Sequence, residues 1–234
     1  MTQNRKQHCL LALRERILST ELEPGADLDE LSLCETYGVS RTPLREVLQR
    51  LSGEGLIQLE ENRGAKVASM DVRVMRTFFQ TAPLVYANIS ALAAENWTGP
   101  QLDTLKQTQS AFAVAMRRGE ASEAALLNHR FHAEIGLMAD NAYLVASLNR
   151  LLIDHTRMSQ TFYRPTSEAD RDRVRLAIEQ HDAMIAAFEL RETALSMDLA
   201  LQHWDLSRDQ LERFVRPGPL PLDVHSLEAR RHAV

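Results

Sequence analysis

Val39-Ser40-Arg41-Thr42-Pro43-Leu44-Arg45-Glu46-Val47-Leu48-Gln49-Arg50-Leu51, followed at once by Ser52-Gly53-Glu54-Gly55-Leu56, is the stretch whose reading decides the fold. It reads as a helix with a well-specified start. Ser40 or Thr42 can accept from the helix's free N–H groups, Pro43 suits a first helical turn, and Glu46 complements the positive N-terminal end. Val47, Leu48 and Leu51 recur at helical spacing and face a core, which leaves Arg41, Arg45 and Arg50 to project elsewhere. Three arginines on an exposed helix form either an ordinary solvated face or a surface that pairs with guanine and phosphate. The flanking elements decide between these.

Upstream, Leu10, Leu13, Ile17 and Leu18 form a helical stripe over about Arg5 to Ser19 that Pro24-Gly25 ends. Asp29 caps a short second helix to Tyr37, and Gly38 suits the left-handed residue that closes it. The arginine helix is then third, so the order is helix, helix, Gly-containing turn, helix: a helix-turn-helix. Downstream, Leu56-Ile57-Gln58-Leu59 and Ala65-Lys66-Val67 read as two strands around the polar turn Glu60-Glu61-Asn62-Arg63-Gly64. This is a candidate wing, with Arg63 and Lys66 at or near its tip, where a hairpin meets the minor groove or the phosphates.

The 234 residues are 44% hydrophobic and 25% charged with a net charge of −5, which allows one large or two modest domains and argues against indiscriminate nucleic-acid binding. Any DNA contact must use local charge. No apolar run reaches the roughly 18 residues of a membrane span, and Met1-Thr2-Gln3-Asn4-Arg5-Lys6 is not followed by a signal-peptide core, so the chain is expected in the cytoplasm. Cys9 and Cys34 show no metal or disulfide spacing and read as reduced thiols.

Pro24-Gly25, Gly38-Val39-Ser40-Arg41-Thr42-Pro43-Leu44-Arg45-Glu46, Leu51, Glu54-Gly55-Leu56 and Asn62-Arg63-Gly64 together resemble the winged helix-turn-helix of the GntR family of bacterial transcription regulators. The resemblance implies operator contacts by Ser40, Arg41, Thr42 and Arg45, with Arg63 and Gly64 at the wing tip and Arg50 as a further candidate. A helix-two position that holds arginine in the fatty-acid-responsive member is Leu31 here, so that member's operator is not implied.

Beyond a linker at 69–71 the periodicity is helical throughout. Helices are expected at about Val72 to Asn96, where Pro83 should kink or break the helix, then from Thr98-Gly99-Pro100 to Arg118, Glu120 to Ala139, Asn141 to Tyr163, Ser167 to Leu190 and Glu192 to Val215. The fold class is therefore mainly α: a winged helix-turn-helix of three helices plus a β-hairpin over 1–68, an all-α helical bundle over 72–216, and a flexible tail over 217–234.

Asn128 and His132 are four apart and share one side of a helix, at the margin of an apolar stripe of Leu127, Phe131, Ile135 and Met138. His181 and His203 lie at similar margins. These four are either hydrogen-bonded core residues or ligands of a metal that imidazole favours. His129 and His155 lack the pattern and receive no role.

Val72 to Arg216 is similar to the FCD ligand-binding domain of the FadR subgroup, especially at Asn128-His129-Arg130-Phe131-His132, Glu179-Gln180-His181 and His203. That resemblance implies a divalent transition metal, zinc or nickel above magnesium, held by Asn128, His132, His181 and His203. Two departures from the pattern stand out. Many such domains carry an arginine in their first helix that meets an acidic effector, and Thr81-Ala82-Pro83-Leu84-Val85-Tyr86 has none; the usual aspartate is Asn128. Arg130, Arg157 and Tyr163 are the candidates for the missing effector contact.

The expected protein is a homodimeric regulator of double-stranded operator DNA, a repressor released by a small carboxylate effector or else an activator. The competing classes are a metal-dependent hydrolase using Glu134, Glu179 or Asp182 as base, and an interaction module.

Overall fold

The computed structural model describes residues 2–60 and 64–212. Helix α1 (Thr2–Leu18) leads through strand β1 (Asp27–Leu28) to α2 (Glu30–Tyr37) and α3 (Arg41–Glu54), followed by β2 (Ile57–Glu60) and β3 (Gly64–Val67). Asp29 caps α2 by accepting from the Ser32 N–H, and Gly38 closes it at φ 60°, a conformation that frees the chain to turn into α3. Ser40 is the N-cap residue of α3, but its side chain makes no capping hydrogen bond. Leu44, Val47, Leu48 and Leu51 bury the inner face of α3 against Leu13, Ile17 and Leu56.

The sheet carries one strand more than the expected hairpin. Its order is β1-β3-β2, all antiparallel, with Asp27 opposite Lys66 and Ile57 opposite Val67. Two residues are too few to show an alternating pattern, and β1 exists only because β3 offers it an edge.

Asp71 caps α4 (Val72–Asn96), which starts the helical region. Of the kink or break expected at Pro83, the break does not occur: α4 continues through it with Ala82, Val85 and Tyr86 buried, and packing on α6, α7 and α9 outweighs the one lost N–H bond. A Thr98–Gln101 capping box starts α5 (Gly99–Arg118). Helices α6 (Ala121–Ala139), α7 (Ala142–Phe162), α8 (Glu168–Glu189) and α9 (Thr193–Glu212) complete the bundle, with Asn141 and Ser167 capping α7 and α8. Among the described residues every expected helix is present. The expected end of the last helix and the tail at 217–234 lie outside them.

The two regions meet along α7. Ile153 belongs to the core formed by α1 and α3, the Arg157 guanidinium donates to the Ala68 carbonyl at 2.6 Å, and Gln160 donates to the Leu18 carbonyl at 3.1 Å. No helix among the described residues is long and apolar enough to cross a membrane.

Candidate functional site

Helix α3 presents Arg41, Thr42, Arg45 and Arg50 on its solvent side, opposite the buried leucines. A cleft of about 780 Å³ runs between α3 and the sheet, bordered by Arg41, Arg45, Gln49 and Gly64. Gly64 is exposed at φ 85° and begins β3; Arg63 lies outside the described residues. The cleft also carries carboxylates. Arg45 reaches Glu30 at 3.4 Å, Arg50 reaches Glu54 at 3.3 Å, and Lys66 sits between Glu60 and Asp27. Such exposed pairs are worth about 0–1 kcal/mol, whereas a bidentate arginine–guanine contact discriminates by about 1–3 kcal/mol. The arginines can therefore exchange their carboxylates for DNA at small cost.

The second site lies in the bundle. His132 on α6, His181 on α8 and His203 on α9 are buried, with nitrogens all within 4.8 Å of one another. His181 stacks on Phe131 at 3.9 Å between ring centres. The neighbouring amides set the tautomers. The Gln109 side-chain N–H₂ donates to the Ile178 carbonyl at 3.1 Å and to Asp182 at 2.9 Å, so its oxygen is what faces His181 Nδ1 at 2.9 Å. His181 Nδ1 therefore bears the hydrogen, and Nε2 carries a lone pair. The Gln180 oxygen faces His203 Nδ1 at 3.0 Å with the same consequence.

The two Nε2 atoms then face each other at 3.2 Å with no hydrogen between them. Burial, the leading cause, holds His181 well below the ordinary imidazole range and pushes His203 down to about 4, so neither ring supplies a bridging proton near neutrality. Burial also lowers His132, reinforced by His203 and His181. His132 Nε2 and Asn128 Oδ1, one helical turn apart on α6, are buried without hydrogen-bond partners. The His181 and His203 lone pairs meet with no donor between them, and His132 offers a further ring nitrogen within 4.8 Å. Acceptors alone repel one another unless a cation lies between them, and zinc–imidazole bonds of about 2.0–2.1 Å at a tetrahedral angle put ligand nitrogens roughly 3.3 Å apart, close to the 3.2 Å between His181 and His203. The residues fit a divalent metal.

Gln109→Ala removes the acceptor that holds the His181 tautomer. It is expected to weaken zinc binding about 10–100-fold in a competition titration against a chromophoric chelator, and an unchanged affinity would refute this role for Gln109.

Beside the histidines lies a cavity of about 20 Å³, lined by His132, His203, His155, Tyr86, Ser90 and apolar residues including Ile135, Leu148 and Trp204. Neither arginine nor lysine reaches it. Arg130 is exposed and paired with Glu134 at 2.8 Å. Arg157 is tied to Asp154 and Ala68 at the junction with the N-terminal region. Tyr163 packs edge-on to Phe112 and Phe162. The three expected effector residues are thus occupied elsewhere.

His155, given no role from sequence, lines the cavity with its Nδ1 2.7 Å from the Tyr86 hydroxyl. It was legible: Leu148, Leu152 and His155 follow the i, i+4, i+7 stripe of α7's buried face. The expected general bases fare no better. Glu134 is held by Thr108 and Arg130, Asp182 by Gln109, and Glu179 is exposed.

Residues 6–67 match the model for "Bacterial regulatory proteins, gntR family", and residues 85–206, more than half of the chain, match the FCD domain. The protein belongs to the GntR family. Its architecture is that of the family's FCD-containing, FadR-like branch, a transcription regulator rather than an enzyme, and the hydrolase reading is withdrawn.

A gluconate operon transcriptional repressor of Bacillus subtilis is 24% identical, spanning 86% of this chain and 82% of its own. A regulator from an unstable DNA locus of Streptomyces ambofaciens is 42% identical, but over only 36% of each chain. The solved structure of E. coli McbR/YncC shares the fold of this GntR-family chain at a TM-score of 0.77, with 20% identity over 91% of this chain and 99% of that one.

Proposed function

We propose that this GntR-family regulator is a homodimeric repressor whose helical region, 72–216, holds a divalent transition metal and is released from its operator by a small organic acid. The observation that carries the reading is the convergence of ring nitrogens from His132, His181 and His203, and the unpartnered Asn128 Oδ1, one helical turn from His132, is taken as the fourth ligand. Nitrogen-rich ligands favour zinc or nickel over magnesium. Because all four ligands are neutral, a bound dication keeps its full charge in an apolar cavity without lysine or arginine. That charge selects an anion, and a carboxylate compensates it directly.

Size supplies the switch. A cavity of about 20 Å³ has room for about one water molecule, so an acid of several atoms enters only by displacing its walls. One wall is α7, through His155, and the same helix holds the N-terminal region through Ile153, Arg157 and Gln160. Effector and DNA are then reciprocally coupled. Two recognition helices on two half-sites supply the affinity that one acidic chain lacks, with Ser40, Arg41, Thr42, Arg45, Arg50, Arg63 and Gly64 as the operator-facing residues.

A thermal-shift screen of carboxylic and sugar acids, run with and without zinc, tests the reading. An acid at about 100 times its Kd adds about 2.7 kcal/mol to the native state, and the shift is expected only with zinc present. A shift of equal size in chelator-treated protein would refute the metal-linked site.

A further inference from the structure

We propose that Tyr86 and His155 form the effector-recognising corner of the cavity, selecting a short carboxylic acid that bears a second oxygen beside its carboxylate. This rests on the reading of the cavity as a metal-carboxylate site and adds a specificity element to it. The two side chains come from α4 and α7, are almost wholly buried, and are joined by the 2.7 Å contact between the Tyr86 hydroxyl and His155 Nδ1.

The pair has a fixed hydrogen count. A neutral imidazole and a phenol hold one N–H and one O–H between them. If the hydroxyl donates to Nδ1, the ring hydrogen stands on Nε2. If Nδ1–H donates to the hydroxyl oxygen, the O–H is left over. One donor is therefore always unspent, and the pair makes no other side-chain hydrogen bond among the described residues. Both groups line the cavity, and the His155 and His132 ring centres are 5.7 Å apart.

His155 is not among the three histidines whose nitrogens converge within 4.8 Å, so its donor lies outside the metal's own coordination but within reach of an atom one or two bonds from a coordinated carboxylate. Apart from the metal-site histidines, Trp204, and Ser90, whose hydroxyl donates to the Ser196 carbonyl, the remaining walls are apolar, and the ligand class is a compact 2-oxygenated monocarboxylate. Polar donors built into an apolar wall discriminate against an analogue that leaves them unpaired.

The test is calorimetric titration of the zinc-loaded full chain with 2-hydroxybutanoate and with butanoate, in wild type, Tyr86→Phe and His155→Phe, alongside zinc content per chain. Wild type is expected to prefer the hydroxy acid by about tenfold or more. Direct chelation by the hydroxyl contributes part of that preference in all three proteins, so the decisive quantity is its loss. The preference should shrink at least about threefold in each variant while zinc content stays unchanged.

A preference within twofold of wild type in both variants overturns the proposal, as does loss of zinc with His155, which would make that residue a metal ligand. Tyr86→Phe removes a single oxygen and keeps the test decisive if His155→Phe does not fold. Equal binding of both acids by wild type refutes the corner but leaves the carboxylate reading standing. Binding of neither acid by a zinc-loaded chain refutes that reading and this one with it.

Discussion

Arg45→Ala is expected to lose operator binding while leaving the fold intact. The side chain is exposed on α3, opposite Leu44, Val47, Leu48 and Leu51, and its partner among the described residues is Glu30 at 3.4 Å. Removing an exposed pair of this kind changes stability by less than about 0.5 kcal/mol. On DNA the same guanidinium gives up that weak pair for a contact worth about 1–3 kcal/mol, and the proposed homodimer would lose it at both half-sites. A tenfold to hundredfold loss per half-site compounds to about 10²–10⁴ on a two-site operator. The free Glu30 carboxylate left in the cleft adds repulsion from phosphate. Arg45→Lys keeps the charge but not the planar fork, so it should bind with intermediate affinity and relaxed sequence preference. Gel-shift titration on operator DNA selected from genomic fragments measures both variants. Equal affinity of Arg45→Ala and wild type would remove the basis for placing α3 in the major groove.

His181→Ala is expected to abolish stoichiometric metal. The ring is fully buried, held at Nδ1 by Gln109, and its Nε2 faces that of His203 at 3.2 Å. Weakening even an outer partner such as Gln109 costs about 10–100-fold in affinity, and deleting a direct ligand must cost more. Elemental analysis of unchelated protein should fall from about one metal ion per chain to a small fraction. The substitution also leaves Phe131 without the ring stacked on it, and truncating a core side chain of this size costs about 2–5 kcal/mol. The readout therefore includes a metal-dependent one. Zinc at 1,000 times its Kd should stabilise wild type by about 4 kcal/mol and the variant by almost nothing. Equal metal content in the two proteins would defeat the site.

The fold was most legible where the determinants are local. Gly38 at a left-handed turn, Pro43 in a first turn, and leucines at helical spacing mark the helix-turn-helix from neighbouring residues alone. Strand β1 was not legible, because Asp27 and Leu28 become a strand only through residues almost forty positions later. In the bundle, the i, i+4 relation of Asn128 and His132 placed both on one face, but convergence with His181 and His203 came from a family resemblance and needs three packed helices to be seen.

The two candidate effector arginines have partners that the sequence spacing already offers. Arg130 has Glu134 at i+4, a pair that sequence spacing already offers, and Arg157 has Asp154 at i−3. Charge alone gave them a role, yet local partners had already satisfied that charge. Gln109 and Gln180 were given no role from sequence, since an amide becomes a tautomer lock only where it meets an imidazole across the bundle.

The central claim is that occupancy of the histidine site governs DNA binding. Its most direct test is an anisotropy titration of the full chain against the selected operator, in zinc-loaded protein with and without an acid identified by the thermal-shift screen. Wild type should lose at least about fivefold in operator affinity when the acid is present, and His181→Ala should show the same affinity under both conditions. An operator affinity that does not change in wild type while the acid is demonstrably bound would contradict the account.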